Sequence, residues 1–255
     1  MKPLILLTND DGIRAKGLRA LVEIARPFGR LVIVAPEEAQ SGQSHAITTK
    51  NPLRLRKVED YAPDLDVYAC NGTPTDCVKL TMSHLLKGVP DVVLSGINHG
   101  ANTSSSVLYS GTVAAAQEGA LYGSIAVAYS LLNFSADADF SHCIKVGQQI
   151  LERVLQKGLP EEVLLNVNIP DIAATQFKGV KVTRQAHGMW REHYEKHTDP
   201  NGHDYFWLTG EYKNNEPDAA DTDEWAVNNG YISVTPIQPD MTNHVEIPNL
   251  QWIER

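Results

Sequence analysis

The stretch Pro3-Leu4-Ile5-Leu6-Leu7-Thr8-Asn9-Asp10-Asp11-Gly12 decides how the rest of the chain is read. Its first half is a short apolar run of strand length, as in a strand covered on both faces. Its second half sets two adjacent acids and a glycine directly behind that strand. Working outward, Ala15–Arg26 carries Leu18, Leu21, Val22 and Ala25 at helical spacing, and Leu31–Ala35 is a second buried run stopped by Pro36. Thr73-Pro74 suits the opening of a helix that runs to about Lys87. Asp91–Ser95 (DVVLS) and Ile125–Tyr129 (IAVAY) are further strand runs, and between them the Ala- and Gly-rich Thr112–Leu121 predicts a thin helix able to pack closely on a sheet. Asp137–Leu155 predicts one more helix and Val163–Ile169 one more strand. Apolar strands alternating with helices predict an open α/β sheet, mostly parallel, with helices on both faces. Ligands bind such sheets beyond the carboxyl ends of the strands, where the strand order reverses.

At 255 residues the chain is long enough for a large core without disulfides or a structural metal. Its 22 basic and 31 acidic side chains leave a net charge of −9, which argues against a nucleic-acid polymer as partner. An anionic small molecule would need a local cation to draw it in. No apolar run approaches the roughly 20 residues of a membrane span. The apolar start is too short for a secretory signal, and Cys70, Cys77 and Cys143 form no framework, so buried thiols and a cytoplasmic location are expected.

From His187 to Glu224 the character changes. This polar segment carries Trp190, Tyr194, Tyr205, Phe206, Trp207 and Tyr212. It predicts strands in a protruding arm or a subunit contact, with an ordinary surface hairpin as the alternative. His193 and His197 lie four apart without an HExxH pattern, so a solvated or interfacial pair is favoured over zinc.

The residues able to carry chemistry gather at one predicted sheet edge. Adjacent carboxylates repel, and crowding Asp10 against Asp11 suits a hard divalent cation with oxygen ligands; turn and helix-cap duty is the alternative. The loop after the second strand, Glu37–Thr49, offers Ser41, Gly42 and Ser44. The loop after DVVLS offers Asn98 and Asn102. Ser110-Gly111-Thr112 opens the small-residue helix, and helix-start amides beside hydroxyls make an anion site. No G-x-G-x-x-G, Walker or G-x-S-x-G pattern is present.

These segments resemble the SurE family of metal-dependent 5′-nucleotidases. The likeness is carried by LLTNDDG (Leu6–Gly12), VAPEEAQSGQSHAIT (Val34–Thr48), NGTPTDCVKL (Asn71–Leu80), SGINHGANT (Ser95–Thr103), SGTVAAAQEGA (Ser110–Ala120) and GYISVTPI (Gly230–Ile237), in the family's order. The resemblance implies a Rossmann-like core, here residues 1–186, and an arm with C-terminal segment over 187–255 that exchanges between subunits of a dimer or tetramer, continuous with the core. It implies one divalent ion per subunit, Mg²⁺ or Mn²⁺ (Ca²⁺ in crystals), on Asp10, Asp11, Ser41 and Asn98, with Asp10, Asp11 and Asn98 catalytic. It places phosphate or substrate contacts on Asn9, Gly42, Asn102, Ser110, Gly111 and Thr112. Many members carry His before SGT, where this chain has Tyr109. The implied reaction is hydrolysis of nucleoside 5′-monophosphates by metal-activated water, with 3′-nucleotides and short polyphosphate as further substrates. Two rivals fit less well. An aspartyl-phosphate phosphatase wants DxDxT, from which Asn9-Asp10-Asp11-Gly12-Ile13 departs. A receiver-like or otherwise non-enzymatic metal- or nucleotide-binding regulator wants an acceptor Asp where this chain has Asn98.

Overall fold

The computed structural model describes residues 2–254. Its first apolar run forms β1 (Leu4–Thr8), followed by α1 (Lys16–Ala25), β2 (Arg30–Pro36), β3 (Leu55–Lys57), β4 (Asp66–Cys70), α2 (Pro74–Leu80), β5 (Val92–His99) and α3 (Gly111–Leu121). Beyond these run β6 (Ile125–Leu131), α4 (Ser141–Lys157), β7 (Leu164–Ile169), β8 (Val180–Val182), β9 (Gly188–Thr198), β10 (Asp204–Asn214), α5 (Asp223–Asn228), β11 (Ile232–Ile237) and α6 (Ile247–Leu250).

β1 is apolar on both faces because its side chains alternate between two helix layers. Ile5 and Leu7 pack with Leu18 and Leu21 of α1 and with Val146 and Ile150 of α4. Leu6 points the other way, to Val78 of α2, Met82 and Ala115 of α3. The sheet order is β3-β4-β2-β1-β5-β6-β7-β11-β8. From β4 to β7 every neighbouring pair is parallel. Counted along the parallel strands alone the order is 3-2-1-4-5-6, the doubly wound arrangement expected. At its far side β11 closes antiparallel on β7, and β3 pairs antiparallel with β4 at the other edge.

The small-residue helix packs as its composition predicts: a Cβ on Gly119 would lie 2.6 Å from the Val93 side chain. Three elements differ from expectation. α2 stops at Leu80, and Thr81–Leu85 forms a widened turn in which Thr81 Oγ1 and Ser83 Oγ donate back to the carbonyls of Cys77 and Lys79. α4 begins at Ser141, not Asp137, because the Asp139 carboxylate accepts both the amide and the hydroxyl of Ser141. β5 does not end at Ser95 but continues through His99 past an irregularity between Ser95 and Asn98. Gly96 makes that continuation possible: it sits at φ +120°, and a Cβ there would lie 2.3 Å from the carbonyl oxygen of Tyr129. Cys70, Cys77 and Cys143 are buried and free.

The aromatic segment is a two-stranded antiparallel hairpin, β9 with β10, separate from the main sheet. Its base is fixed by Arg184, which reaches Glu216 (2.6 Å) and Asp221 (2.8 Å). Its blades leave Tyr194, Phe206, Trp207 and Leu208 exposed, as are Met241, Trp252 and Ile253 in the C-terminal segment. Among the described residues no helix is long and apolar enough to cross a membrane.

Candidate active site

β1 has β2 on one side and β5 on the other, so the chain winds away in both directions from its carboxyl end. Asp10, the second residue beyond β1, lies in the resulting crevice and is only 4% exposed. It accepts the hydroxyl of Thr112 at Oδ1, and its backbone carbonyl accepts the Gln40 amide at 2.7 Å. The start of α3 abuts it: a Cβ on Gly111 would come within 3.0 Å of the Asp10 Cβ and 3.2 Å of Oδ2. Burial, with the Asp11 charge beside it, pushes Asp10 up from the ordinary 3.8 to about 6, against the opposing pull of Thr112. Asp11 is partly buried and also raised by burial, while the His99 amide, 3.2 Å from Oδ2, pulls it down.

Asp10, Ser41, Gly42, Asn98, Asn102 and Ser110 line one cavity of about 360 Å³. Asp11 faces an adjoining cavity that shares His99 and Phe134 as walls. Asn98 donates Nδ2 to the Gly100 carbonyl at 2.8 Å, and its Oδ1 takes no protein donor among the described residues. Ser110 caps α3 by accepting the Val113 amide at 3.0 Å, which leaves Gly111 as a helix-start amide without an intrahelical partner. The Thr112 hydroxyl donates to Asp10 and so supports the carboxylate. Asn9 is fully buried beneath the site, where Nδ2 donates to the Gly12 carbonyl and Oδ1 has no partner.

The loop bearing Ser41 and Gly42 is pinned along its length. Ser44 donates from N to the Tyr109 carbonyl (3.1 Å) and from Oγ to the Leu108 carbonyl (2.6 Å). Thr48 N donates to Asp76 at 3.0 Å. His45 Nε2 meets Glu118 Oε2 at 2.8 Å, and Lys79 Nζ meets the other oxygen at 2.8 Å. Burial pushes Glu118 up, but the His45 and Lys79 hydrogen bonds outweigh it and hold the carboxyl below its ordinary value. This buried acid thus ties the loop of Ser41 to the helix of Ser110–Thr112.

Sequence reasoning did not find the buried polar residues that hold Asn102 in the cavity wall. Asn102 donates its amide to Asn168 Oδ1 (2.8 Å) and one side-chain proton to Ser130 Oγ (2.9 Å); its carbonyl accepts from Asn166 (2.6 Å). The signal was present in β7, where Asn166 and Asn168 stand two apart on one face of an otherwise apolar strand. Also missed were His99, Ser106, Phe134 and Trp190, which line the same cavity. A larger cavity of about 630 Å³ on the far side of Ser44 and Ser110 holds neither carboxylate.

Among the described residues no three His, Cys, Asp or Glu side chains cluster as a metal cage. The site instead combines two carboxylates with neutral oxygens from Asn98 and Ser41. Arg14 and Lys16 line the cavity that Asp11 faces, but they pair with Asp60 (2.8 Å) and Asp137 (2.9 Å), and among the described residues neither Asp10 nor Asp11 forms an ion pair. An all-oxygen set with two charges fits a hard divalent cation such as Mg²⁺ or Mn²⁺.

A family model described as "Survival protein SurE" matches residues 5–192, ending within the first strand of the hairpin. A protein of Flavobacterium psychrophilum named 5′-nucleotidase SurE is 48% identical over 249 residues, which is 98% of this chain and 96% of that protein. One of Cytophaga hutchinsonii with the same name is 50% identical over 244 residues, 95% of this chain and 93% of that protein. A solved structure, described as the crystal structure of SurE protein from Aquifex aeolicus, superposes with a TM-score of 0.84 at 39% identity, covering 99% of this chain and 100% of that one.

Proposed function

The chain belongs to the SurE family, and from that membership and the buried acid at the head of the sheet we propose that it is a 5′-nucleotidase, a divalent-metal-dependent phosphatase that converts nucleoside 5′-monophosphates to nucleoside and phosphate. The observation that carries the metal dependence is the Asp10–Asp11 pair: Asp10 is almost wholly buried, and the basic side chains nearest in the fold, Arg14 and Lys16 beside Asp11, are paired instead with Asp60 and Asp137. Asp10, Asp11, Ser41 and Asn98 would hold the ion. Bound there, it neutralises phosphoryl charge and makes water a better nucleophile at neutral pH.

The protein's own groups do the rest. Thr112 holds Asp10 by a hydrogen bond, which favours the ionised carboxylate. The free side-chain proton of Asn102 is a donor at the cavity wall, and the Gly111 amide opens α3 beside Asp10; both suit the equatorial phosphoryl oxygens as their charge shifts. Ser110 holds the first turn of α3 in shape, and the ties of Ser44 and His45 keep Ser41 and Gly42 opposite it. These fixed donors position phosphate without reorganising at the moment of reaction. The DxDxT pattern of aspartyl-phosphate phosphatases is absent, which favours direct attack by water over a phospho-enzyme.

The exposed apolar residues of the hairpin and the C-terminal segment support a homo-oligomer in which the arm crosses to a neighbouring subunit. Phosphate release from a panel of nucleoside 5′-monophosphates, measured with EDTA and after Mg²⁺ or Mn²⁺ is restored, tests the function. Turnover abolished by chelator and recovered with metal is expected; full activity in chelator overturns the metal dependence, and no release from any nucleotide overturns the activity. Light scattering that finds a monomer removes the subunit-exchange reading.

A further inference from the structure

Ser104, two residues beyond the cavity donor Asn102, is buried in a backbone conformation that side chains rarely adopt, with φ at +50°. Its amide, hydroxyl and carbonyl are all taken up around the root of the hairpin. The amide donates to Asp223 Oδ2 at 2.8 Å, the hydroxyl donates to the Ala186 carbonyl at 2.7 Å, and the carbonyl accepts Gln185 Nε2 at 2.8 Å. Asp223, itself fully buried, meets the same root with its other oxygen: Oδ1 accepts the amides of Ala186 (2.9 Å) and Glu224 (2.8 Å). We propose that Asp223 is a positioning residue for phosphate binding: by gripping the Ser104 amide it locks the turn of Asn102–Ser104 to the root of β9, and so fixes where Asn102 presents its side chain to the cavity. This rests on the nucleotidase reading and names a residue outside the cavity on which that site depends.

Three observations carry the assignment. The first is that local capping does not account for the acid. Thr222 already caps α5 by accepting the Trp225 amide at 3.2 Å, whereas the Asp223 carboxylate reaches partners 119 and 37 positions away in the chain. The second is charge. Burial pushes the Asp223 carboxyl up, and the amides of Ser104, Ala186 and Glu224 pull it down. An ionised carboxylate accepts at both oxygens, whereas an asparagine accepts at one, so the acid alone can hold Ser104 on one side and Ala186 with Glu224 on the other. The third is convergence on Asn102. From the sheet, Asn168 Oδ1 accepts the Asn102 amide, and the side chains of Asn166 and Asn168 both donate to its carbonyl. From α5, Glu224 accepts the hydroxyl of Thr103 while Asp223 holds Ser104. Held on both sides, the main chain of Asn102 delivers its side chain to the cavity from a fixed frame.

The test is a double-mutant cycle. Asp223→Asn keeps the volume and leaves one acceptor oxygen. It should lower kcat/KM for AMP by about tenfold and weaken competitive inhibition by inorganic phosphate to a similar degree, with Mn²⁺ uptake per chain unchanged. In an Asn102→Ala background the same substitution should cost less than about threefold, because the donor that Asp223 positions is already gone. Ser104→Ala drops only the hydroxyl tie and is the gentler variant; its loss, about threefold, should vanish in that background as well. A change within twofold in Asp223→Asn, or a loss undiminished when the Asn102 side chain is absent, would overturn the assignment. If Asp223→Asn does not fold, unaltered kinetics in Ser104→Ala would overturn it. Wild-type protein that releases no phosphate from AMP would instead sink the nucleotidase reading.

Discussion

Replacing Asp10 by Asn should make the metal-free protein more stable while destroying its affinity for metal. Asp10 is almost wholly buried and displaced from 3.8 to about 6, roughly two pKa steps at 1.36 kcal/mol each. The folded state therefore binds the Asp10 proton more tightly than the unfolded chain does. Its contribution to stability is fully present below pH 3.8 and is lost as pH rises through about 6. Integrated to pH 7.5, the ionised side chain costs about 3 kcal/mol; at pH 4.5 the cost is about 1 kcal/mol. Asparagine keeps the volume and the acceptor for Thr112 without the charge. Urea unfolding followed by tryptophan fluorescence in EDTA should give a variant more stable than wild type by about 3 kcal/mol at pH 7.5, or roughly 6–12 °C in Tm, with the gap shrinking at pH 4.5. Added metal should reverse the order, since only wild type gains the binding term, about 2.7 kcal/mol at a hundredfold excess over Kd. A variant no more stable than wild type in chelator at pH 7.5, or a gap indifferent to pH, would refute the view that Asp10 is kept charged at a cost to stability.

Other substitutions probe the supports of the site. Thr112→Val removes the hydroxyl held by Asp10; kcat should fall at least tenfold, and the acidic limb of the pH–rate profile should move upward because a donor to the carboxylate is gone. Glu118→Gln should cost about 1–2 kcal/mol through its bonds to partly exposed His45 and Lys79, and should raise KM by loosening the Ser41 loop. Because the Glu118 carboxyl is held low, that stabilisation is present above its unfolded value and fades as pH falls through its folded one, so variant and wild type should converge in acid urea melts. Gly96→Ala puts a Cβ 2.3 Å from the Tyr129 carbonyl at a positive φ and should lose upwards of ~3 kcal/mol, read as a drop in urea midpoint.

The central sheet was legible because β1, β2, β5, β6 and β7 are apolar wherever both faces are covered, a pattern that composition alone exposes. β4 escaped because Asp66 and Tyr68 interrupt its apolar run, and β3 and β8 because three residues carry too little pattern. β5 was cut short because Ser95-Gly96-Ile97-Asn98-His99 has loop composition; the strand persists there only through the freedom of Gly96. Within the site, Asp10 and Asp11 declared themselves by adjacency and Ser110-Gly111-Thr112 by its place at a helix start. Asn166 and Ser130 did not, because their partner Asn102 is more than 25 residues away and local pattern carries no such information. Trp190 was noticed as part of an aromatic arm, yet its position beside Asp10 depends on how the hairpin base docks on Ser104 and Ser106.

The account stands most directly on a titration of the metal-free protein with Mn²⁺, followed by electron paramagnetic resonance of the free ion. One ion bound per chain is predicted for wild type, and none for the double variant Asp10→Asn with Asp11→Asn. Equal uptake by both proteins, or no uptake by wild type at millimolar Mn²⁺, would contradict it.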